Sequence, residues 1–141
     1  MSSMPIPQGK YKPAVRFGDI IFTSGMTPRE NGRLIMSGAI KADSDLENYR
    51  EAVRTASRNA LTAAASLLES GEEIGQILSL HVFINAEKGF LSHAKIGDMA
   101  SEYFLETIGE GGIGTRAAVG MGTLPGDAPV EIEITAGVKR A

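Results

Sequence analysis

Hydrophobic residues recur every three or four positions between residues 44 and 70, which is the spacing of one buried face of an α-helix. The repeating positions are Leu46, Tyr49, Val53, Ala56, Ala60, Ala63 and Leu67. Ser44, followed by Glu47 three residues later, predicts a capping box at the start of this helix. Gly71 predicts its end. A second helix is predicted over residues 90–108, with Ile96, Ala100, Tyr103 and Phe104 facing inward.

Two turn pairs divide the segment before the first helix. Gly18-Asp19 separates two short β-prone pieces within residues 14–25 and predicts a hairpin. Asn31-Gly32 is a second strong turn pair, and residues 34–36 are predicted as a short strand after it.

Three further apolar segments predict strands, at residues 76–85, 115–121 and 130–138. The glycine-rich segment 109–114 is predicted to be a flexible loop. Proline and glycine in residues 124–129 predict a turn between the last two strands.

This order of elements, strands followed by helix, strand, helix and two strands, is typical of an α+β fold with two helices on one face of a mixed sheet. The 141 residues fit one domain spanning positions 1–141. Strands with apolar residues on both sides predict an oligomer that covers the second face of the sheet.

Composition narrows the classes of function. The net charge is −3, from 14 Lys and Arg against 17 Asp and Glu, which disfavours a nucleic-acid partner. The absence of cysteine excludes thiol catalysis and thiolate metal sites. His81 and His93 are the only histidines and are too scattered to predict a metal site. No secretory signal and no run of about 18–20 apolar residues is present, so we expect a cytoplasmic protein without a membrane partner.

Arg116 is the candidate for binding an anion. It shares a strand face with Ala118 and Gly120, which leaves room for a ligand, and its planar guanidinium matches a carboxylate. An internal salt bridge to Glu131 or Glu133 is an equally weighted interpretation, because buried charges are nearly always paired. The two glutamates share a face of the final strand. They form either a solvated edge or a general base acting on water.

The segment 23–25 offers hydroxyl and backbone N–H groups at a strand end, although an ordinary turn has the same residues. Tyr11 could cover a ligand or be a surface aromatic. The two unrelated histidines do not support a Ser-His-Asp arrangement, and no phosphate-binding loop motif is present.

Residues 115–134, TRAAVGMGTLPGDAPVEIEI, and residues 11–25, YKPAVRFGDIIFTSG, together resemble the YjgF/RidA superfamily of enamine and imine deaminases, also called the L-PSP endoribonuclease family. The resemblance runs from about Tyr11 to Val138. It implies a chorismate-mutase-like mixed sheet with two helices on its outer face. It also implies a homotrimeric barrel of three such sheets, with pockets between subunits.

The resemblance implies roles for individual residues. Arg116 would grip the carboxylate of a small substrate, and Glu131 would position or activate the attacking water. The implied reaction hydrolyses a 2-imino acid, or an enamine such as 2-aminoacrylate, to a 2-keto acid and ammonia without a cofactor. The substrate-binding positions implied are Tyr11, Ser24, Gly25, Met26, Phe90 and Ala118; Tyr11 and the Ser24-Gly25 segment would come from the neighbouring subunit.

The chain departs from the family pattern at three positions near this site. Met26 replaces a frequent glutamine, Ala118 replaces a cysteine of some members, and Gly114 replaces proline or alanine. These departures favour a divergent subgroup with a larger or more apolar pocket. One alternative function is a regulatory trimer that binds a carboxylate metabolite without turnover. A second is an endoribonuclease or translation inhibitor, which the net charge and the lack of a histidine pair disfavour.

Overall fold

The computed structural model describes residues 3–141 and has two α-helices beside a five-stranded mixed sheet. The strands are β1 (Ala14–Phe17), β2 (Ile20–Thr23), β3 (Arg29–Glu30), β4 (Arg33–Leu34), β5 (Glu72–Asn85), β6 (Thr115–Met121) and β7 (Val130–Arg140). The helices are α1 (Arg50–Ala65) and α2 (His93–Ile108). The predicted α+β class is confirmed. Among the described residues, no helix has the length and apolarity that crossing a bilayer requires.

The strand order in the large sheet is β1-β2-β7-β5-β6, so β1 and β6 are the edges. β5 and β6 run parallel, whereas the other neighbours run antiparallel. The predicted hairpin at Gly18 is confirmed as β1–β2. Asn31-Gly32 also turns a hairpin, but the strand after it is Arg33–Leu34 rather than 34–36, because β4 pairs with β3 directly across the turn.

The first helix begins later than predicted. Leu46–Tyr49 forms a 3-10 turn, and Asp45 rather than Ser44 caps it, with its Oδ1 accepting a hydrogen bond from Glu47 N at 3.0 Å. The Ser44 hydroxyl instead donates to the Lys41 carbonyl. The predicted capping box is therefore wrong, because Asp45, the residue directly before the turn, provides the capping oxygen.

The first helix also ends earlier than predicted, at Ala65. The Leu67 carbonyl accepts a 3.1 Å hydrogen bond from Arg16 Nη1, so this part of the chain is held by the sheet edge rather than by a further helical turn. Gly71 has φ +81° and turns the chain into β5 instead of ending the helix.

The core lies between the sheet and the two helices. Alternate residues of β7 face the helices and are buried, namely Val130, Ile132, Ile134 and Ala136. Most of the predicted inward faces are buried against them: Tyr49, Val53, Ala56, Ala60 and Ala63 in the first helical segment, and Ile96, Ala100, Tyr103 and Phe104 in α2. These helix faces are confirmed.

The other sheet face, which we call the open face, is not covered within the chain. Register and alternation place on it a set of exposed apolar side chains: Val15, Phe17, Ile20, Phe22, Val119 and Met121. Phe17 is 85% exposed. The apolar side chains of β1 and β2 lie together, whereas Val119 and Met121 lie at the opposite edge, across the polar residues of β7. Exposed apolar patches of this kind are typical of association surfaces.

The glycine-rich segment before β6 is not the flexible loop that was predicted. Gly109–Gly112 forms a 3-10 turn packed against β5. A Cβ atom at Gly111 would overlap the Gly75 carbonyl, and one at Gly114 would overlap the Ile77 carbonyl. Glycine is needed here for close backbone approach, and this packing determines where β6 begins.

Candidate functional site

Arg116 lies on β6, an edge strand whose residues are mostly exposed, rather than on a buried strand. Its pairing with Leu80 of β5 places its side chain on the face that carries the helices. The guanidinium crosses α2 at Gly97, where a Cβ atom would lie 3.0 Å from Arg116 Cζ. The side chain is 25% exposed. Gly97 therefore provides the space in which the arginine lies.

The partners of Arg116 come from α2. Nη1 donates to Asp98 Oδ1 at 2.8 Å and to Ser101 Oγ at 3.1 Å. Nη2 has only a 3.4 Å contact with the Ala94 carbonyl, and Nε makes no hydrogen bond within residues 3–141. One edge of the guanidinium is therefore held by the protein, while the Nε–Nη2 edge retains donors for a ligand.

The alternative interpretation, in which Arg116 forms a salt bridge to Glu131 or Glu133, is wrong. The acidic partner is Asp98, which sequence reasoning missed. The sequence feature that could have indicated this partner is the helical spacing of four small or polar residues, which lie on one face of α2: Ala94, Gly97, Asp98 and Ser101.

Glu131 lies on β7 with its side chain on the open face, half-buried. Its carboxylate packs beside Gly25, where a Cβ atom would overlap Oε2. No hydrogen bond or ion pair joins the carboxylate to any side chain or backbone group of residues 3–141. Burial, followed by the charge of Glu133, raises the pKa of Glu131. A carboxyl in such surroundings is a candidate proton acceptor.

Glu133, unlike Glu131, is paired with a histidine. Its Oε1 lies 2.7 Å from His81 Nδ1, and His81 Nε2 lies 3.4 Å from the Ser79 hydroxyl. Of the two glutamates on this strand face, Glu131 is thus the one available for chemistry.

Tyr11, Gly25 and Met26 line one cavity of about 150 Å³, which we call the N-terminal cavity. Tyr11 is 45% exposed, and its hydroxyl oxygen accepts a 3.0 Å hydrogen bond from Gln8 N. Ser24 donates from its hydroxyl to the Lys12 carbonyl at 2.6 Å and so holds the preceding segment in place. Of these residues Gly25 touches Glu131, whereas Met26 pairs with Ile132 and is buried in the core.

Phe90 and Ala118 lie on the helix side of the sheet, as Arg116 does, and of the two only Ala118 is close to the arginine. Ala118 Cβ is 3.2 Å from the Cβ position of Gly97. The buried Phe90 ring is 5.1 Å from the ring of His93, whose Nε2 lies 3.0 Å from the Cβ position of Gly120. His93 was not among the predicted site residues; its position at the start of α2, three residues after Phe90, was the available signal.

The chain therefore holds two half-sites that do not meet. Arg116 pairs with Leu80, whose side chain is buried under the helices, whereas Glu131 pairs with Phe83 on the open face. Strand β5 separates them, and they point to opposite faces of the sheet. A single copy of the chain does not bring the guanidinium and the carboxylate together.

A mixed sheet with two helices on one face and these two half-sites has the architecture of a chorismate-mutase-like protein. The chain belongs to the family described as "YjgF/chorismate_mutase-like, putative endoribonuclease", which matches residues 2–131. A RutC family protein from Pyrococcus abyssi is 29% identical over 136 residues, covering 94% of this chain and 89% of that protein. The superfamily resemblance is confirmed.

Solved structures agree with this assignment. A "putative endoribonuclease" from Shewanella oneidensis has a TM-score of 0.85 and 27% identity, with 96% of this chain and 89% of that one covered. An Agrobacterium tumefaciens protein of unknown function has a TM-score of 0.82 and 28% identity over 95% and 86%. TdcF from E. coli with bound serine has a TM-score of 0.66 and 27% identity over 95% and 92%.

Proposed function

We propose that this protein hydrolyses reactive 2-imino acids, and their enamine tautomers such as 2-aminoacrylate, to 2-keto acids and ammonia. The observation that carries the proposal is Glu131. It is a half-buried carboxyl with a raised pKa and without a hydrogen-bonding or ionic partner in residues 3–141. Structural carboxylates away from water are normally paired, so this exception is best explained by a role toward a ligand or water.

Arg116 supplies the complementary group. Its Nη1 is fixed by Asp98 and Ser101, and its Nε–Nη2 edge keeps two donors for a carboxylate. The relative TdcF is described with bound serine. Serine has a carboxylate next to a nitrogen-bearing carbon, which is also the arrangement of a 2-imino acid.

The active assembly we propose is a homotrimer with pockets between subunits. Arg116 and Glu131 point to opposite faces of one sheet, so a shared pocket needs the Arg116 half-site of one copy and the Glu131 half-site of another. The apolar open face supports such an assembly, since three sheets packed face to face would bury Phe17 and Phe22.

The chemistry needs only a carboxylate anchor and a proton acceptor. Water adds to the electrophilic C2 of the protonated imine while Glu131 takes one of its protons, giving a 2-amino-2-hydroxy acid. Glu131 then passes this proton to the amino nitrogen, and the C–N bond breaks with its electrons leaving on nitrogen as ammonia. The hydroxyl gives its proton back to Glu131 as the C–O bond becomes the carbonyl of the keto acid, and that proton leaves with ammonia as ammonium. General base catalysis of this kind contributes about 10²–10⁴-fold.

The test is release of ammonia and keto acid from imines that an amino-acid oxidase generates in the same vessel. Wild type is expected to accelerate release above the spontaneous rate, whereas Arg116→Gln and Glu131→Gln are not. Arg33→Gln is a matched control, because Arg33 is exposed on β4, outside both half-sites. Rates that are equal for wild type, Arg116→Gln and buffer would exclude the deaminase.

The same variants separate the two alternatives. A trimer that binds 2-keto acids through Arg116 but leaves the rate unchanged would be a metabolite-binding protein without turnover. The Shewanella oneidensis relative is described as a "putative endoribonuclease". RNA cleavage that persists through purification and is lost in Glu131→Gln would support a ribonuclease activity for this protein. Equal cleavage by wild type and Glu131→Gln would indicate a contaminant.

A further inference from the structure

The N-terminal cavity holds a positive charge and no negative one. Arg29 lines it together with Tyr11, Gly25 and Asn59, and the described residues that line it include no aspartate or glutamate. This is unusual for a chain with more acidic than basic residues. The electrostatic character of the cavity therefore favours an anionic group.

Arg29 has only neutral partners. Its Nε donates to Thr27 Oγ1 at 3.2 Å and its Nη1 to the Gly32 carbonyl at 3.0 Å. Within residues 3–141, no carboxylate lies within ion-pair distance of it and Nη2 makes no hydrogen bond. Because the residue is partly buried, its charge is partly desolvated without a counter-ion. An anion bound in the cavity would supply that counter-ion.

The backbone under Arg29 is held rigidly. Asn59 of α1 is 8% exposed, and its Nδ2 donates to the Thr27 carbonyl at 3.1 Å and to the Arg29 carbonyl at 2.9 Å. The guanidinium therefore starts from a fixed strand and is oriented by two of its own hydrogen bonds. Such preorganisation lowers the ordering cost of binding.

The cavity adjoins the proposed catalytic carboxyl. Gly25 lines the cavity, and the Glu131 carboxylate packs against Gly25 without being part of the lining. We propose that a substrate whose C2 lies at Glu131 extends its far end past Gly25 toward Arg29, where the guanidinium binds a second carboxylate, so that the preferred substrates are 2-imino dicarboxylic acids. This inference rests on the proposed function, in which Arg116 holds the first carboxylate.

Calorimetric binding of two stable 2-keto acids tests the inference. The probes 2-oxoglutarate and 2-oxopentanoate share a five-carbon chain and differ in the terminal carboxylate. Wild type is expected to bind 2-oxoglutarate about tenfold more tightly, since a charge-assisted hydrogen bond contributes about this much. Arg29→Gln is expected to abolish that preference and Arg29→Lys to restore part of it. Arg33→Gln, on the same hairpin, should keep it.

The ratio of the two affinities is taken within each variant, so a general loss of stability in Arg29→Gln cancels. Equal affinities for the two acids in wild type, or an unchanged ratio in Arg29→Gln, would overturn the Arg29 inference. The proposed function would still stand in that case if binding of both acids depends on Arg116. Binding of 2-oxoglutarate that depends on Arg29 but not on Arg116 would support the Arg29 inference and overturn the proposed role of Arg116. No binding of either acid would overturn both.

Discussion

Gly97→Ala tests whether α2 positions Arg116 for a ligand. The new methyl group would lie 3.0 Å from Cζ and Nε of Arg116 and 3.2 Å from Ala118 Cβ. These distances are shorter than ordinary van der Waals contacts, so the guanidinium has to move away from Asp98 and Ser101. The substitution therefore changes the arginine without removing its charge.

The effect on stability is expected to be small. Alanine in a helix interior is favoured over glycine by about 1 kcal/mol. Overpacking costs about 1–3 kcal/mol, and here the low end applies because the crowded atoms are mainly the end of a flexible side chain. The free energy of unfolding, measured by urea denaturation, should thus change by less than about 1 kcal/mol.

The effect on ligand binding is expected to be larger, about a tenfold weakening for 2-oxopentanoate, because a displaced guanidinium loses well-aligned hydrogen bonds. In an Arg116→Gln background, Gly97→Ala should cause no further weakening if it acts through the arginine. Lys95→Ala, an exposed change on the same helix, is the control. Wild-type affinity in Gly97→Ala would refute the idea that the position of Arg116 matters for binding.

Three more predictions follow from the described contacts. Phe17→Asp should leave monomers in light scattering, because it places a charge on the apolar open face. Glu72→Gln should lower the free energy of unfolding mainly above pH 4.5. The hydrogen bond from Arg16 lowers the pKa of Glu72 from 4.5 to about 2. The stabilisation by ionised Glu72 is therefore complete above pH 4.5 and is lost as the pH falls toward 2. Glu133→Gln should shift the acid limb of the kcat/KM profile to lower pH. Burial is the main cause of the raised pKa of Glu131, and the negative charge of Glu133 is the second cause, which this substitution removes.

Each of these has a clear contrary result. Leu91→Asp changes a residue that is 89% exposed outside the sheet; monomers in both variants, or trimers in both, would contradict the role of the open face. Parallel stability curves for wild type and Glu72→Gln between pH 2 and 4.5 would contradict the assigned pKa. An unmoved acid limb in Glu133→Gln would mean that Glu131 does not control the rate.

Glu131→Gln offers a further check on the candidate site. A carboxyl whose pKa is higher in the folded than in the unfolded state costs stability above both values, because folding then opposes its ionisation. Removing that charge should leave the protein at least as stable as wild type at pH 7. A marked loss of stability in thermal unfolding would instead indicate a structural role for Glu131.

The sequence by itself determined the types of element and their buried faces. Helical and strand periodicities are local properties, so both helix faces and the hairpin at Gly18 could be predicted without knowledge of the rest of the chain. The separated motifs also identified Arg116 and Glu131 as the charged residues to examine. Helix ends were less predictable, since Asp45 and Ser44 compete as caps and a distant arginine binds the Leu67 carbonyl.

Only the tertiary structure decided which charged side chains are paired with another residue. Asp98, 18 residues before Arg116, holds one edge of the guanidinium. His81, 52 residues before Glu133, occupies that carboxylate and leaves Glu131 available. Hydrophobic alternation tells which face a strand buries but not which strands become neighbours, because pairing depends on how the whole chain closes its core. For that reason β6 became an exposed edge, and Arg116 and Glu131 came to lie on opposite faces of one sheet.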